Sequence, residues 1–147
     1  MASAVEKPVI VLLHGAWHQP VHFDSFASQL RLEGFEVLVP RLASAGPDNE
    51  IIGKTLQDDV QVIHDTIKPY LNRGRQIVLV SHSLSGMTAT DSAIGYTVTD
   101  RTDICQPGGI KAIIYISAVA PPMAGMYGLQ MRTYEDVPPE WWQVEVG

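Results

Sequence analysis

Ser83 has the setting that most clearly invites chemistry. It follows the apolar run Gln76-Ile77-Val78-Leu79-Val80 and sits inside Ser81-His82-Ser83-Leu84-Ser85-Gly86, where a helix-like segment begins. A side chain presented at the tip of a sharp strand-to-helix turn needs small neighbours two positions to either side, because the backbone there is strained and crowded. Ser81 and Ser85 are small enough, and Gly86 adds slack. The usual form of this turn is Gly-x-Ser-x-Gly, so the match is a relaxed one with serine in both glycine positions. A serine hydroxyl becomes a useful nucleophile only when a base takes its proton, so Ser83 needs partners. The plain alternative is a serine that merely ends a buried strand.

A second stretch favours catalysis. Val9-Ile10-Val11-Leu12-Leu13 leads directly into His14-Gly15-Ala16-Trp17-His18. Acyl transfer needs backbone N–H groups aimed at the oxygen that becomes negative, and a His-Gly loop after an early strand is a recurrent source of them. In this order the two stretches resemble the α/β-hydrolase superfamily, in particular its smaller lid-bearing members related to plant methylesterases and hydroxynitrile lyases. The resemblance runs over essentially the whole chain. It implies an α/β fold with a doubly wound, mostly parallel sheet of the α/β-hydrolase type, incomplete in this chain. It also implies Ser83 as nucleophile and the backbone N–H groups of Ala16 and Leu84 as an oxyanion hole. Trp17 and the apolar residues from Met123 to Tyr127 are candidates for a substrate pocket, which favours an uncharged, fairly hydrophobic ester or lactone. Trp17 reads equally well as packing.

The elements that must position these groups alternate. Val9 to Leu13 is apolar without a period of two, as a strand covered on both faces of a parallel sheet requires. Pro20 falls near a helix start, and Phe23, Phe26, Ala27 and Leu30 recur at helical spacing up to Gly34. Phe35 to Val39 reads as the next strand, closed by Pro40. Arg41 to Lys54 is a long, turn-rich linker expected at the strand ends, where ligands bind in such sheets. Leu56, Val60, Ile63, Ile67 and Tyr70 or Leu71 form a helical stripe, with Asp58, Asp59, Gln61 and Lys68 elsewhere on the wheel. After the Ser83 turn, Leu84 to Ile94 continues as a helix that Gly86, Ala89 and Ala93 let approach the sheet closely. Gly95 to Gly109 reads as polar connection and Ile110 to Ile116 as a further strand. Such alternation implies a parallel sheet with helical crossovers. Ala120-Pro121-Pro122 and Val137-Pro138-Pro139-Glu140-Trp141-Trp142 break the pattern, where lid-bearing relatives leave the sheet. The expected organisation is therefore the N-terminal part of a hydrolase core over residues 1–120 and the start of a lid over 121–147, with the remainder of both outside these residues.

In this fold the triad runs Ser, then Asp or Glu, then His. The five histidines are His14, His18, His22, His64 and His82, so none follows the nucleophile. The resemblance gives His14 and His18 the task of shaping the oxyanion loop and points His82 away from the catalytic oxygen. His64 is expected on a helix surface or between helices, and His22 on an exposed helix. Gly15 and Pro20 oppose the helix that would make His14, His18 and His22 a ligand set, so neither metal nor cofactor is expected. Ser117-Ala118-Val119-Ala120, where some relatives carry the acid, has no carboxylate. Asp91, Asp100 and Asp103 are assigned to solvent, and Glu135, Asp136, Glu140 and Glu145 fall in the lid-like tail. The acid and base are therefore expected on a complementary C-terminal polypeptide of the same protein.

A net charge of −6 without a Lys/Arg cluster argues against nucleic acid or anionic membrane as partner and leaves a small-molecule substrate or another protein. Cys105 is the sole cysteine, so no internal disulfide is expected. No apolar stretch approaches the roughly 20 residues of a membrane span. Met1 to Lys7 is too short and too polar for a secretory signal, which predicts a cytoplasmic protein. The expected activity is hydrolysis through an acyl-enzyme on Ser83. Its rivals are a lyase or carbon–carbon bond-cleaving enzyme on the same fold, and a non-catalytic small-molecule-binding protein.

Overall fold

β1 (Val9–Leu13), β2 (Val37–Leu38), β3 (Gln76–His82) and β4 (Gly109–Ile116) form one parallel sheet in the order β2-β1-β3-β4. The computed structural model describes residues 6–121. Parallel neighbours cannot be joined by a tight turn, so each step needs a crossover. α1 (Asp24–Leu32) makes the first, α3 (Leu56–Leu71) the second, and α4 (Ser85–Ser92) with α5 (Val98–Asp103) the third. β1 is buried along its whole length and sends alternate side chains to opposite faces. Val9, Val11 and Leu13 pack with Ile63, Ile67 and Leu71 of α3 and Ala89 of α4, whereas Ile10 and Leu12 pack with Ala27 of α1, Val37 and Val80. Helices on both faces are what an unbroken apolar strand demands. This is the expected α/β-hydrolase arrangement over part of that fold.

α3 follows its predicted stripe. Asp58 N–H donates to the Thr55 hydroxyl at 3.4 Å and Thr55 N–H to the Asp58 carboxylate at 2.8 Å, a reciprocal cap. Val60, Ile63, Ile67 and Leu71 are buried. Asp59 departs from expectation, being only 1% exposed. It lies four residues before Ile63, at the margin of the buried stripe rather than on the polar face.

β4 contains an irregularity with consequences for the site. Ile77 pairs with Ile110 but Val78 pairs with Ala112, so Lys111 is an extra residue. One inserted residue exchanges the faces of everything after it. Ile113 therefore joins the α3–α4 core, while Ile114 and Ile116 are registered with Val80 and His82 on the α1 side.

Several boundaries differ from those the sequence predicts. β2 covers only Val37–Leu38, and among the described residues it is an edge strand paired with β1 alone through Ile10↔Val37 and Val11↔Leu38; Phe35 and Val39 pack against the α1-side core instead. The presumed connection from Gly95 to Gly109 holds α5, opened by a reciprocal Thr97–Asp100 cap. The linker after Arg41 holds one helical turn, α2 (Asp48–Ile51), and Pro20–Phe23 is a 3-10 turn before α1. The lid segment expected after residue 121, with Met123 and Tyr127, lies outside the described residues.

Candidate active site

β3 ends at His82, and Ser83 turns the chain with a φ of +55°. That value is uncommon for a residue bearing a side chain and marks a constrained turn. α4 begins at Ser85, so the half-buried Ser83 stands at the strand-to-helix tip that its neighbours predict. Its carbonyl accepts from Gly86 N–H at 3.2 Å and Val119 N–H at 2.9 Å, which ties the tip to α4 and to the segment leaving β4. A Cβ on Gly86 would collide with the Val119 carbonyl oxygen. No larger residue fits there.

Gly15 makes the other close approach. A Cβ on it would lie 2.8 Å from Ser83 Cβ and 3.0 Å from His82 Nδ1. The loop after β1 therefore passes directly against the Ser83 side chain. His14 holds this loop from behind. It is fully buried; Leu42 N–H donates to its Nε2 at 3.1 Å, which leaves the proton on Nδ1, 3.0 Å from the Gly15 carbonyl. Burial pushes its pKa below the ordinary 6.5, outweighing the Gly15 hydrogen bond and the Asp59 carboxylate, which act in the other direction. A neutral imidazole with both nitrogens engaged shapes the loop and takes no proton from Ser83.

Ala16 and Leu84 share the wall of a cavity of about 10 Å³ with Gly15, Ser85 and Thr88. Leu84 is the residue at the N-terminal cap of α4. The lining also includes Asp59, which the sequence sets apart from the apolar stripe of α3. Its Oδ1 accepts from Ser44 N–H at 2.8 Å and its Oδ2 from the Ser44 hydroxyl at 2.6 Å. Asp59 thus fixes the Leu42–Ser44 segment, and Leu42 fixes His14. An acidic residue four before Ile63 was the signal that could have revealed it.

His18, His22 and His64 bond elsewhere. His18 Nδ1 lies 2.9 Å from the Ala16 carbonyl, and His22 Nδ1 accepts from Gln19 N–H at 2.8 Å. The His18 ring stands edge-on to His22 and to His82, each with centroids 5.3 Å apart. His64 bonds the Ser92 carbonyl at 2.9 Å and stacks on Tyr96, an interhelical role as expected. Among the described residues, no group of three or more His, Cys, Asp or Glu could hold a metal ion. Trp17, with a φ of +62°, is 94% exposed, and the other residues expected to wall a pocket with it, Met123 to Tyr127, lie outside the described residues. A wide groove of about 500 Å³ opens beside His82, walled by Phe23, Phe26, Val80 and Ile116 with His18 and His22. This is why Phe26, predicted inside, is 41% exposed.

Residues 10–145 match the Alpha/beta hydrolase family. The chain belongs to that family. A curated relative, Alpha/beta hydrolase nvfD of Aspergillus novofumigatus, is 31% identical over 137 residues, covering 89% of this chain and 52% of that protein. The carbendazim hydrolyzing esterase of a Nocardioides species is 29% identical over 113 residues, covering 76% and 42%. Among solved structures, an extracellular alpha/beta-hydrolase of a Paenibacillus species, described as sharing structural and functional homology with tobacco salicylic acid binding protein 2, superposes with a TM-score of 0.58. It is 27% identical, over 78% of this chain and 42% of its own. A methylesterase from Arabidopsis, 22% identical, superposes with a TM-score of 0.62 over 78% of this chain and 45% of its own, and speaks for the fold alone. The chain spans about half the length of the family members it matches.

Proposed function

We propose that this chain supplies the nucleophile and oxyanion hole of a serine hydrolase that cleaves a small, fairly hydrophobic ester or lactone through an acyl-enzyme on Ser83. The observation that carries this reading is the approach of Gly15 to Ser83, which leaves no side chain between the loop and the serine. Ser83 Oγ attacks the carbonyl carbon and its proton passes to a histidine. The carbonyl oxygen, now negative, accepts from the N–H groups of Ala16 and Leu84. Collapse expels the alcohol, which takes the proton, and water repeats the sequence to release the acid. Neither cavity beside the turn is lined by Lys or Arg, which favours an uncharged substrate. The esterases and hydrolases among its relatives support ester chemistry.

The acid and histidine come, in this proposal, from a complementary C-terminal polypeptide that continues the sheet. No histidine follows His82 in the chain, and the relatives are about twice as long. β4 is an edge among the described strands, and Ile114, Tyr115 and Ile116 on it are 49%, 38% and 42% exposed. An apolar edge strand is a template for further pairing. The groove against Phe26 and Ile116 leaves room for what packs there.

Fluorophosphonate labelling of the full-length protein tests the nucleophile. The expected result is one adduct, located on Ser83 by peptide mass spectrometry and lost in Ser83→Ala. A folded protein that takes no label overturns the serine-hydrolase reading and favours the non-catalytic binding protein. Quenched-flow trapping of an acyl adduct separates hydrolysis from lyase chemistry on the same serine.

A further inference from the structure

We propose that the Ser85 hydroxyl is a positioning group that holds the two oxyanion donors in register, a task that the glycine usual at this place cannot perform. This rests on the reading of Ser83 given above. The registered pairs of β1 and β3 end at Leu13↔Ser81. Just beyond, both chains leave the sheet, one into His14-Gly15-Ala16 and the other through the left-handed Ser83. Ser85 Oγ stands where they diverge. It accepts from His82 N–H at 3.0 Å, and its proton is shared between the carbonyls of Leu13 at 2.9 Å and His82 at 2.8 Å. Ser85 is only 2% exposed, so water competes poorly for these bonds.

The strand ladder fixes the spacing of the two chains only as far as Leu13, and the hydroxyl adds one further tie. That tie lies three residues before Ala16 on one side and next to Leu84 on the other, so it spans the parents of both donors. Two N–H groups stabilise an oxyanion only when they converge on the same oxygen. Without the hydroxyl, the buried Leu13 carbonyl loses a donor and the loop is held chiefly by His14 from its far side.

The test compares Ser85→Ala, Ser85→Gly and Ser85→Thr in the full-length protein, using the fluorophosphonate labelling rate and p-nitrophenyl butyrate hydrolysis. Rates are taken where near-ultraviolet circular dichroism shows each variant folded. Ser85→Ala keeps the Cβ and separates loss of the hydroxyl from loss of packing. The expected result for Ala and Gly is a fall of about 10- to 100-fold in kcat and labelling rate, with KM changed less than about 3-fold. Ser85→Thr, which restores a hydroxyl, recovers most of the loss. Unchanged rates in Ser85→Gly, with or without a lower melting temperature, overturn the positioning role while leaving Ser83 as nucleophile. A loss carried by KM alone, or one that Ser85→Thr fails to recover, also overturns it. If the parent protein is not labelled at Ser83, both readings fall together.

Discussion

A methyl group on Gly15 would meet Ser83 Cβ at 2.8 Å, so Gly15→Ala must push the loop after β1, proposed above to carry an oxyanion donor, away from the serine. The expected outcome is a loss of about 100-fold in kcat with KM little altered, measured by steady-state ester hydrolysis, because donors displaced by an ångström lose their alignment. Gly86→Ala is expected to act on stability instead, since its Cβ would meet backbone at the Val119 carbonyl; the melting temperature should fall markedly. His14 gives the fold a pH dependence. Its folded pKa is below 6.5, so the unfolded chain takes up a proton first as the pH drops. Its contribution to stability is complete above 6.5 and is lost as the pH falls from there through the lowered folded value. Denaturant midpoints should therefore decline below pH 6.5, and His14→Gln should flatten that limb.

Element boundaries were legible where a single pattern governed them. α3 follows the predicted stripe and stops before Gly74, which has a φ of +80°; its Thr55 cap was seen only in the structure. Thr55→Ala should cost about 1 kcal/mol of stability by urea titration and leave catalysis alone. Hydrophobic periodicity sets Asp59 apart from the apolar stripe and carries no sign of its burial, which two donors from Ser44 make tolerable. Asp59→Asn should cost about 1–3 kcal/mol, because a buried donor then faces donors. α5 was missed because its Val98-Thr99-Asp100-Arg101-Thr102-Asp103 sequence has almost no apolar period; only the Thr97–Asp100 cap announces it.

Across the whole molecule, β4 decides how the chain meets its surroundings. Its apolar outer edge and the groove against α1 put Ile114 and Ile116 in the open. Expressed without the C-terminal complement proposed above, the chain is expected to self-associate on size-exclusion chromatography. Ile116→Lys should weaken that association and, when the complement is supplied, reduce recovery of Ser83 labelling, because a charge on an edge strand opposes apolar packing.

The sequence by itself determined the alternation of strands and helices, the Ser83 turn and the His-Gly loop, because these follow from local period, small residues and chain order. It could place Ser83 and Gly15 on separate strand ends but could not show that they touch. That depended on β1 and β3 being neighbours in the sheet, a long-range pairing. The face taken by Ile114 and Ile116, the burial of Asp59 and the tie made by Ser85 were likewise decided only in the tertiary structure. One extra residue in a strand reverses its faces, and a buried polar atom is tolerated only when a partner distant in sequence arrives to meet it.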